Sequence, residues 1–357
     1  MIDPVVPFIA LLSALLVLLP LPWHIKSGNV GTVALAIWLF IGNLDIFINS
    51  MMWWKSSDNK YPAFCEISVR VRYAMAMAIP ACNLAIARRL EGIASTRQVR
   101  MTLSERKRQL WIELGLTVGL PVLYVALMIV NQSYRYNIIE GIGCWPAMWI
   151  SWVWVVLSAV PSIAVSVASL IYSALSFRWF WIRRRQFQAV LASNASSLNK
   201  SRYIRMLALT AVDMVIFFPI YIVGISLSLK TYTLLPYDSW AQVHAGFNRV
   251  ESLPAFVVEQ QTQSMVNLIL SRWVGPVAAI TFFVMFGMGH EARQVYSGGF
   301  GLKKLVKNRL VQKTPKTSDP VTVDIEVVTF QADNSISYQS SPSSEKFCTS
   351  SHKSEER

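Results

Sequence analysis

Charged residues are scarce in this sequence: Asp, Glu, Lys and Arg make up 15% of its 357 residues, whereas soluble domains carry about 25%. Hydrophobic residues make up 54%. This composition excludes an ordinary soluble domain and predicts an integral membrane protein. A net charge of +13 would favour binding to nucleic acid. Because the basic residues lie in short loops between apolar runs and just after the last run, we expect no nucleic-acid partner.

Cysteine and histidine are also rare, with four of each. Four cysteines are too few for a disulfide framework. Cys65 and Cys144 are expected outside the cell, where a bridge is stable; a disulfide and two separate thiols both stay open. No group of His, Asp and Glu has the pattern of a metal site, so we expect no metal, no cofactor and no enzyme activity. The last apolar run has no lysine, which excludes a retinal Schiff base.

Seven apolar runs are each long enough to cross a bilayer. Since backbone groups in lipid must be satisfied internally, these runs predict an all-α membrane protein, a seven-transmembrane helix bundle of residues 1–290. Residues 291–357 are rich in serine and threonine and predict a largely disordered tail. We expect the first run to be a retained signal anchor. The predicted spans are about 4–21, 30–53, 66–87, 111–130, 148–175, 206–229 and 273–289.

Basic residues fall mostly on one side of the predicted bundle. They are concentrated in loops 88–110 and 176–205 and at the start of the tail. Cytoplasmic loops carry an excess of Lys and Arg, so the N-terminus is predicted outside and the C-terminus in the cytoplasm. We therefore expect a multi-pass protein of the plasma membrane, surrounded by the lipid bilayer.

Polar residues and prolines inside the spans are the candidates for an intramembrane switch. Asp45 and Asn49 are four residues apart and share one helical face. Such residues either form a network that changes between two packings or make static hydrogen bonds worth about 0.6 kcal/mol each. Prolines can kink helices, either as pivots or as fixed features. The candidate switch residues are Asn43, Asp45, Asn49, Asn83, Asp213, Pro219 and Pro276.

The residues alone leave the class of membrane protein open between a receptor and a secondary transporter or channel. A transporter would be expected to show charged pairs along a route and inverted repeats, and no clear repeat is present. The basic loops are explained equally well by topology with lipid attraction and by docking of an acidic cytosolic partner.

Four stretches carry a resemblance to a known family. They are LPLPWH at 19–24, WLFIGNLDIFIN at 38–49, PACN with ARRL at 80–90, and RWVGP through FGMG at 272–289. Over about residues 4–300 the sequence resembles the fungal lipopeptide mating-pheromone receptors, the a-factor-receptor type of class D G-protein-coupled receptors. It looks closest to those of basidiomycetes. The Asp-Arg-Tyr and Asn-Pro-x-x-Tyr motifs of the large animal receptor class are missing, which suits class D.

The resemblance implies a farnesylated peptide pheromone as ligand and a heterotrimeric G protein as partner, with a homodimer left open. We expect peptide selection at the mouth of span three and in the third outer loop, about 230–272. The predicted ligand-binding residues are Arg70, Arg72, Tyr232, Tyr237, Trp240, Arg249 and Glu251. The predicted G-protein contacts are Arg88, Arg89, Arg183, Arg184 and Arg185.

Overall fold

The computed structural model describes residues 4–95, 102–182, 200–231, 234–260 and 262–288. Tyr232, Arg183, Arg184 and Arg185, together with the predicted tail, lie outside these ranges. Within them the chain is mostly helical. The helices are α1 Val6–Leu18, α2 Leu21–Lys26, α3 Val30–Met52, α4 Pro62–Ala94, α5 Leu103–Leu114, α6 Leu120–Met128, α7 Trp152–Trp154, α8 Val160–Ile182, α9 Lys200–Val212, α10 Phe218–Thr231, α11 Trp240–Val243, α12 Ala255–Glu259 and α13 Thr262–Gly287.

Six of the seven predicted spans coincide with helical stretches long and apolar enough to cross a membrane, at 6–26, 30–52, 103–131, 152–182, 203–230 and 265–287. The other predicted span, about 66–87, lies within α4. This helix has 33 residues and carries several charged side chains, so its composition alone does not mark it as a span. Its length still exceeds the roughly 20 residues that a bilayer requires.

Three of the long helices contain a π-helical segment just before a proline. The segments are Gly115–Gly119 between α5 and α6, Val155–Ala159 between α7 and α8, and Asp213–Phe217 between α9 and α10. Each ends two residues before a proline: Pro121, Pro161 and Pro219. Proline lacks an N–H, and its ring clashes with the carbonyl four residues earlier, which here falls inside the widened turn. The π-helical turns thus accommodate these prolines, whereas Pro80 and Pro276 lie inside regular helices.

Helix α4 runs through both halves of the bundle. Its first part joins an apolar cluster with Trp53, Tyr124 and Met128, and its second part joins another with Leu39, Met206 and Phe282. Helix α8 packs on α4 and buries serines spaced three and four residues apart on one face: Ser162, Ser166, Ser169, Ser173 and Ser176. Small side chains of this kind allow helices in lipid to approach closely.

One small sheet covers one end of the bundle, which we call the capped end. Its strands are β1 Tyr136–Ile139, β2 Gly143–Trp145 and β3 Val250–Leu253, in the order β2-β1-β3. β1 pairs antiparallel with β2 and parallel with β3. The three-residue loop between β1 and β2 contains Gly141 with φ 76°, a left-handed conformation that glycine adopts without strain.

The predicted third outer loop was too long. Residues 262–272 are not loop, because α13 begins at Thr262. Arg272 therefore lies within the helix, where its buried guanidinium donates to the Ser50 hydroxyl at 3.0 Å. The remaining loop is shorter than predicted, and it contains α11, β3 and α12.

Candidate functional site

The sheet at the capped end is fixed to the helices by a disulfide and a side-chain hydrogen bond. Cys65 at the start of α4 is bonded to Cys144 in β2, with Cα atoms 5.2 Å apart. The backbone N–H of Cys144 donates to the Asn49 side chain on α3 at 2.9 Å. A Cβ on Gly143 would approach Asn49 to 2.4 Å, so only glycine fits there. Strand β2 is thus the edge of the sheet that meets the bundle.

Asn49 continues into a buried polar cluster below the sheet. Its amide donates to the Asp45 carboxylate at 2.9 Å and to the Ser68 hydroxyl at 2.8 Å. The Arg72 guanidinium lies 3.3 Å from the same carboxylate and 4.9 Å from the centre of the Trp145 ring in β2. The cluster therefore balances one buried negative charge with one positive charge and connects α3, α4 and β2.

This arrangement brings together residues that are predicted to have two different roles, ligand contact and intramembrane switch. Arg72 was predicted to contact ligand, and Asp45 and Asn49 to form a switch. The structure puts all three in one cluster, with the Arg72 side chain 15% exposed. Half-buried Arg72 is paired with the Asp45 carboxylate and therefore helps to support the sheet. Its predicted contact with ligand stays a prediction.

Arg70 belongs to a more exposed group at the rim of the capped end. Its guanidinium lies 2.5 Å from the Glu66 carboxylate, which also pairs with Arg135 just before β1. Exposed pairs of this kind are worth about 1 kcal/mol or less. Nearby, burial raises the pKa of Tyr136, and its hydroxyl donates to the Asn59 side chain at 3.0 Å. The loop before α4 is thereby tied to β1.

The described ligand-binding candidates of the third outer loop lie around the sheet. The Tyr237 hydroxyl donates to the Val130 carbonyl at 3.3 Å. Trp240 is 54% exposed and stacks on His244 with ring centres 3.8 Å apart. Arg249 is exposed and lies over the Tyr134 ring at 5.6 Å. Tyr237 and Arg249 hold the loop against the segment between α6 and β1, while aromatic and basic groups stay accessible.

Glu251, the last of these candidates, lies within β3 and is half-buried. Its strand neighbour Ser252 is exposed, and the Ser252 hydroxyl donates to the Ser57 carbonyl at 2.8 Å. The strand is thereby in contact with the loop that follows α3.

The remaining switch candidates form two contacts deeper in the bundle. The Asn43 amide donates to the Gly275 carbonyl at 3.2 Å, next to Pro276 in α13. The Asn83 side chain of α4 hydrogen-bonds the buried Asp213. Asp213 begins the π-helical segment that ends before Pro219. Each contact thus joins a polar side chain to a helix region next to a proline.

At the opposite end of the bundle, which we call the basic end, Arg89 is a predicted G-protein contact. Its side chain makes contacts within this chain. The Arg89 guanidinium lies 3.6 Å from the buried Glu113 carboxylate and donates to the Gly28 carbonyl at 2.6 Å. Arg89 therefore connects the end of α4 with the loop before α3 and with α5. Arg88 is half-buried beside it.

Several structural residues were not singled out from the sequence. Ser68, Glu66, Arg135 and Trp145 complete the contacts at the capped end, and Glu113 completes the pair at the basic end. The hairpin had a detectable signal, since Tyr136–Trp145 contains two short apolar runs separated by a glycine-containing loop. Ser68, which contacts Asn49, and Glu113, which pairs with Arg89, had no such signal, because these contacts depend on how separate helices pack.

The chain is similar to known proteins over most of its length. Residues 5–305 match the family model described as pheromone A receptor. The chain is 54% identical over 349 residues to pheromone receptor 1 of Ustilago hordei and 53% identical over 348 residues to pheromone receptor 1 of Mycosarcoma maydis, covering 97% of each chain in both cases. It is also 22% identical over 298 residues to the pheromone a factor receptor of Saccharomyces cerevisiae, covering 81% of this chain and 60% of that protein.

These matches extend across the helices and both ends described above. They confirm the resemblance to the pheromone receptors of basidiomycetes, and they bear out the expectation of a receptor rather than an enzyme. The helical spans and the family agree with a multi-pass protein of the plasma membrane. The chain belongs to the pheromone A receptor family.

Proposed function

We propose that this chain is a seven-span receptor that binds a farnesylated peptide pheromone at its capped end and activates a heterotrimeric G protein at its basic end. The observation that carries the proposal is the contrast between the two ends. One has a disulfide-bonded sheet with exposed aromatic and charged side chains. The other has the arginine-rich end of α4.

Helix α4, the third in chain order, is proposed to complete the set of seven spans. Its 33 residues correspond to about 50 Å of helix. A charge at bilayer depth is tolerated when it is paired or faces the bundle interior. Arg72 pairs with Asp45 and is mostly buried, while Arg70 and Arg89 lie near opposite ends of the helix. The charges of α4 are therefore compatible with a central, protein-surrounded span.

The proposed orientation places the capped end outside. A disulfide such as Cys65–Cys144 persists in an oxidising compartment. Segment 88–110, which includes the end of α4 and the start of α5, is by contrast rich in Lys and Arg, as expected on the cytoplasmic side. Both arguments give an external N-terminus, because three proposed spans separate the N-terminus from segment 88–110. Tags at each terminus should become accessible on opposite sides of intact cells, and labelling of both from outside would disprove this topology.

A prenylated peptide matches the chemistry of the capped end. The farnesyl chain would enter from lipid along an apolar helix surface, and the helix at 203–230, only 22% buried within the bundle over its most apolar part, offers a large one. The peptide would meet exposed Trp240 and Arg249 at the cap. The two most similar relatives named above are called pheromone receptors, which supports a ligand of this class.

The basic end is the proposed G-protein surface. Arg88 stays a candidate contact, as do Arg183, Arg184 and Arg185 outside the described residues. Arg89 is assigned to the support of this surface because it already pairs with Glu113. Positive loops of this kind favour an acidic partner and speed its association.

The test is nucleotide exchange on an added heterotrimeric G protein. Purified receptor in lipid would be exposed to matched synthetic peptides with and without a farnesyl group. We expect exchange to rise with farnesylated peptide and to require far more of the unprenylated form, since each buried methylene contributes about 0.8 kcal/mol. Peptide-dependent solute flux without nucleotide exchange would instead identify a transporter or channel.

A further inference from the structure

The two edges of the sheet at the capped end are in different environments. The β2 edge meets the bundle, where the Cys144 N–H donates to Asn49. The order β2-β1-β3 places β3 at the opposite edge. Among the described residues, no strand pairs with that far edge of β3. An unpaired strand edge presents backbone donors and acceptors to any extended chain that reaches it.

The backbone contacts of β3 identify which groups are available. The Arg249 carbonyl accepts from the Arg135 N–H, and the Leu253 carbonyl accepts from the Glu140 N–H, both at 3.1 Å. Backbone groups of successive residues in a strand point to opposite sides. The carbonyls of Arg249 and Leu253 and the backbone groups of Glu251 therefore face β1, whereas the N–H and C=O groups of Val250 and Ser252 face away from it.

We propose that an extended segment of the peptide pheromone binds along β3 as a fourth strand of this sheet, pairing with the backbone of Val250 and Ser252. This inference rests on the proposed function, because it concerns the same peptide. Strand addition provides affinity through main-chain hydrogen bonds, while neighbouring side chains select the sequence. Arg249 and Glu251 supply charges of both signs beside this edge.

A short peptide fits this edge better than a second copy of the chain. The strand has four residues, of which two direct their backbone outward. Pairing two such strands would bury far less than the roughly 1,200 Å² of a stable protein interface. A single extended segment of the pheromone requires no large interface, because its farnesyl group would also be held in the membrane.

The position of the edge also links it to the interior. β3 pairs with β1, β1 with β2, and β2 is bonded to Asn49, which contacts Asp45. A ligand strand on β3 would therefore stiffen a continuous path of hydrogen bonds from the outer edge to the polar cluster between α3 and α4. The edge and the predicted switch residues would then act in one structural unit.

The first test compares Ser252→Pro with Ser252→Ala. Proline removes the outward N–H and is tolerated at a strand edge. Alanine removes only the hydroxyl that contacts Ser57. The probe is the synthetic farnesylated peptide that activates the unaltered chain, read by nucleotide exchange at equal surface amounts. We expect Ser252→Pro to need roughly fivefold to tenfold more peptide than Ser252→Ala, the effect of one lost hydrogen bond. Equal potency for the two variants would overturn the proposal.

The second test leaves the receptor unaltered and N-methylates the peptide backbone one amide at a time. A peptide paired through one edge should lose potency at every second amide and tolerate methylation between them. Tolerance throughout, or loss without this alternation, would contradict strand addition even if Ser252→Pro failed to reach the surface. A change in receptor self-association by Ser252→Pro with unchanged peptide potency would identify a second copy as the occupant and also overturn the proposal.

The proposed function and strand addition at β3 would be disproved by different results. If no farnesylated peptide promotes nucleotide exchange with the unaltered chain, the proposed function fails and the strand-addition model falls with it. If the peptide is active but both tests show no dependence on the β3 edge, only the strand-addition model is wrong.

Discussion

The two ends of the bundle are stabilised in different ways. At the capped end, a disulfide, a three-stranded sheet and a buried ion pair tie the first part of α4 to α3 and to the loops. Towards the basic end, the helices pack mainly through the apolar cluster around Leu39, Met206 and Phe282, and one ion pair joins Arg89 to Glu113. There the helix of Asp213 contains a π-helical turn. We therefore expect the capped end to keep one geometry and the part of the bundle around Asp213, which we call the inner half, to repack at its widened turn.

The largest expected effect tests the covalent part of this contrast. Cys144→Ser removes a bridge between residues 79 positions apart, which we expect to destabilise the folded receptor by roughly 4 kcal/mol. The thermal unfolding midpoint of purified receptor in detergent measures it. Cys82→Ala is the matched control, because Cys82 is a buried free thiol. If both variants unfold at the same temperature, the capped end does not depend on its disulfide.

The buried ion pair should give the next largest effect. Asp45→Asn or Arg72→Gln alone leaves one charge of this mostly buried pair without its partner, at an expected cost of about 3 kcal/mol. The thermal unfolding midpoint again reports the loss. The double variant Asp45→Asn with Arg72→Gln should recover most of the stability, because neither charge is left alone. Additive losses in the double variant would show that the two side chains do not act as a pair.

The sequence predicted the helices well because apolar runs and lipid physics determine them locally. It also singled out Asp45 and Asn49 as one helical face and named Cys65 and Cys144 as candidates for a bridge. It did not predict that Arg72 is the partner of Asp45, because that pairing depends on how α3 and α4 are aligned.

The sheet was missed for a related reason. β1 and β3 are separated by more than 100 residues in the chain, and neither shows strand periodicity long enough to stand out. The start of α13 was misplaced because Arg272 suggested an exposed loop. In the structure, Ser50 of α3 accepts a hydrogen bond from that buried arginine. Long-range partners thus decide the details that local patterns leave open.

A smaller effect distinguishes support from docking at the basic end. Arg89→Glu would place a second carboxylate beside buried Glu113, with an expected loss of about 2 kcal/mol in folding stability. Arg88→Glu, at a residue that also interacts electrostatically with Glu113, should lower the thermal midpoint less than Arg89→Glu but reduce nucleotide exchange on the G protein. Reversal of this pattern, with Arg88→Glu the less stable variant, would contradict the assignment of Arg89 to an internal role.

The smallest effect on stability is expected for Pro219→Ala, within about 1 kcal/mol in either direction. Alanine restores an N–H and removes the clash that the π-helical turn at Asp213–Phe217 accommodates. A π-helical turn holds one extra residue, so its loss would rotate the two flanking helical parts by about 100° relative to each other. Asp213 would then no longer align with Asn83. We expect a clear fall in maximal nucleotide exchange with little change in thermal midpoint.

Pro276→Ala is the matched control for this last prediction, because Pro276 lies in a regular helix without a π-helical turn. Its effect on maximal exchange should be smaller than that of Pro219→Ala. The comparison separates a general role of prolines from a specific role of the widened turn beside Asp213. If the two variants lost the same fraction of maximal nucleotide exchange, repacking of the inner half would not depend on this turn. The contrast between a fixed capped end and an adaptable inner half would then need another structural basis.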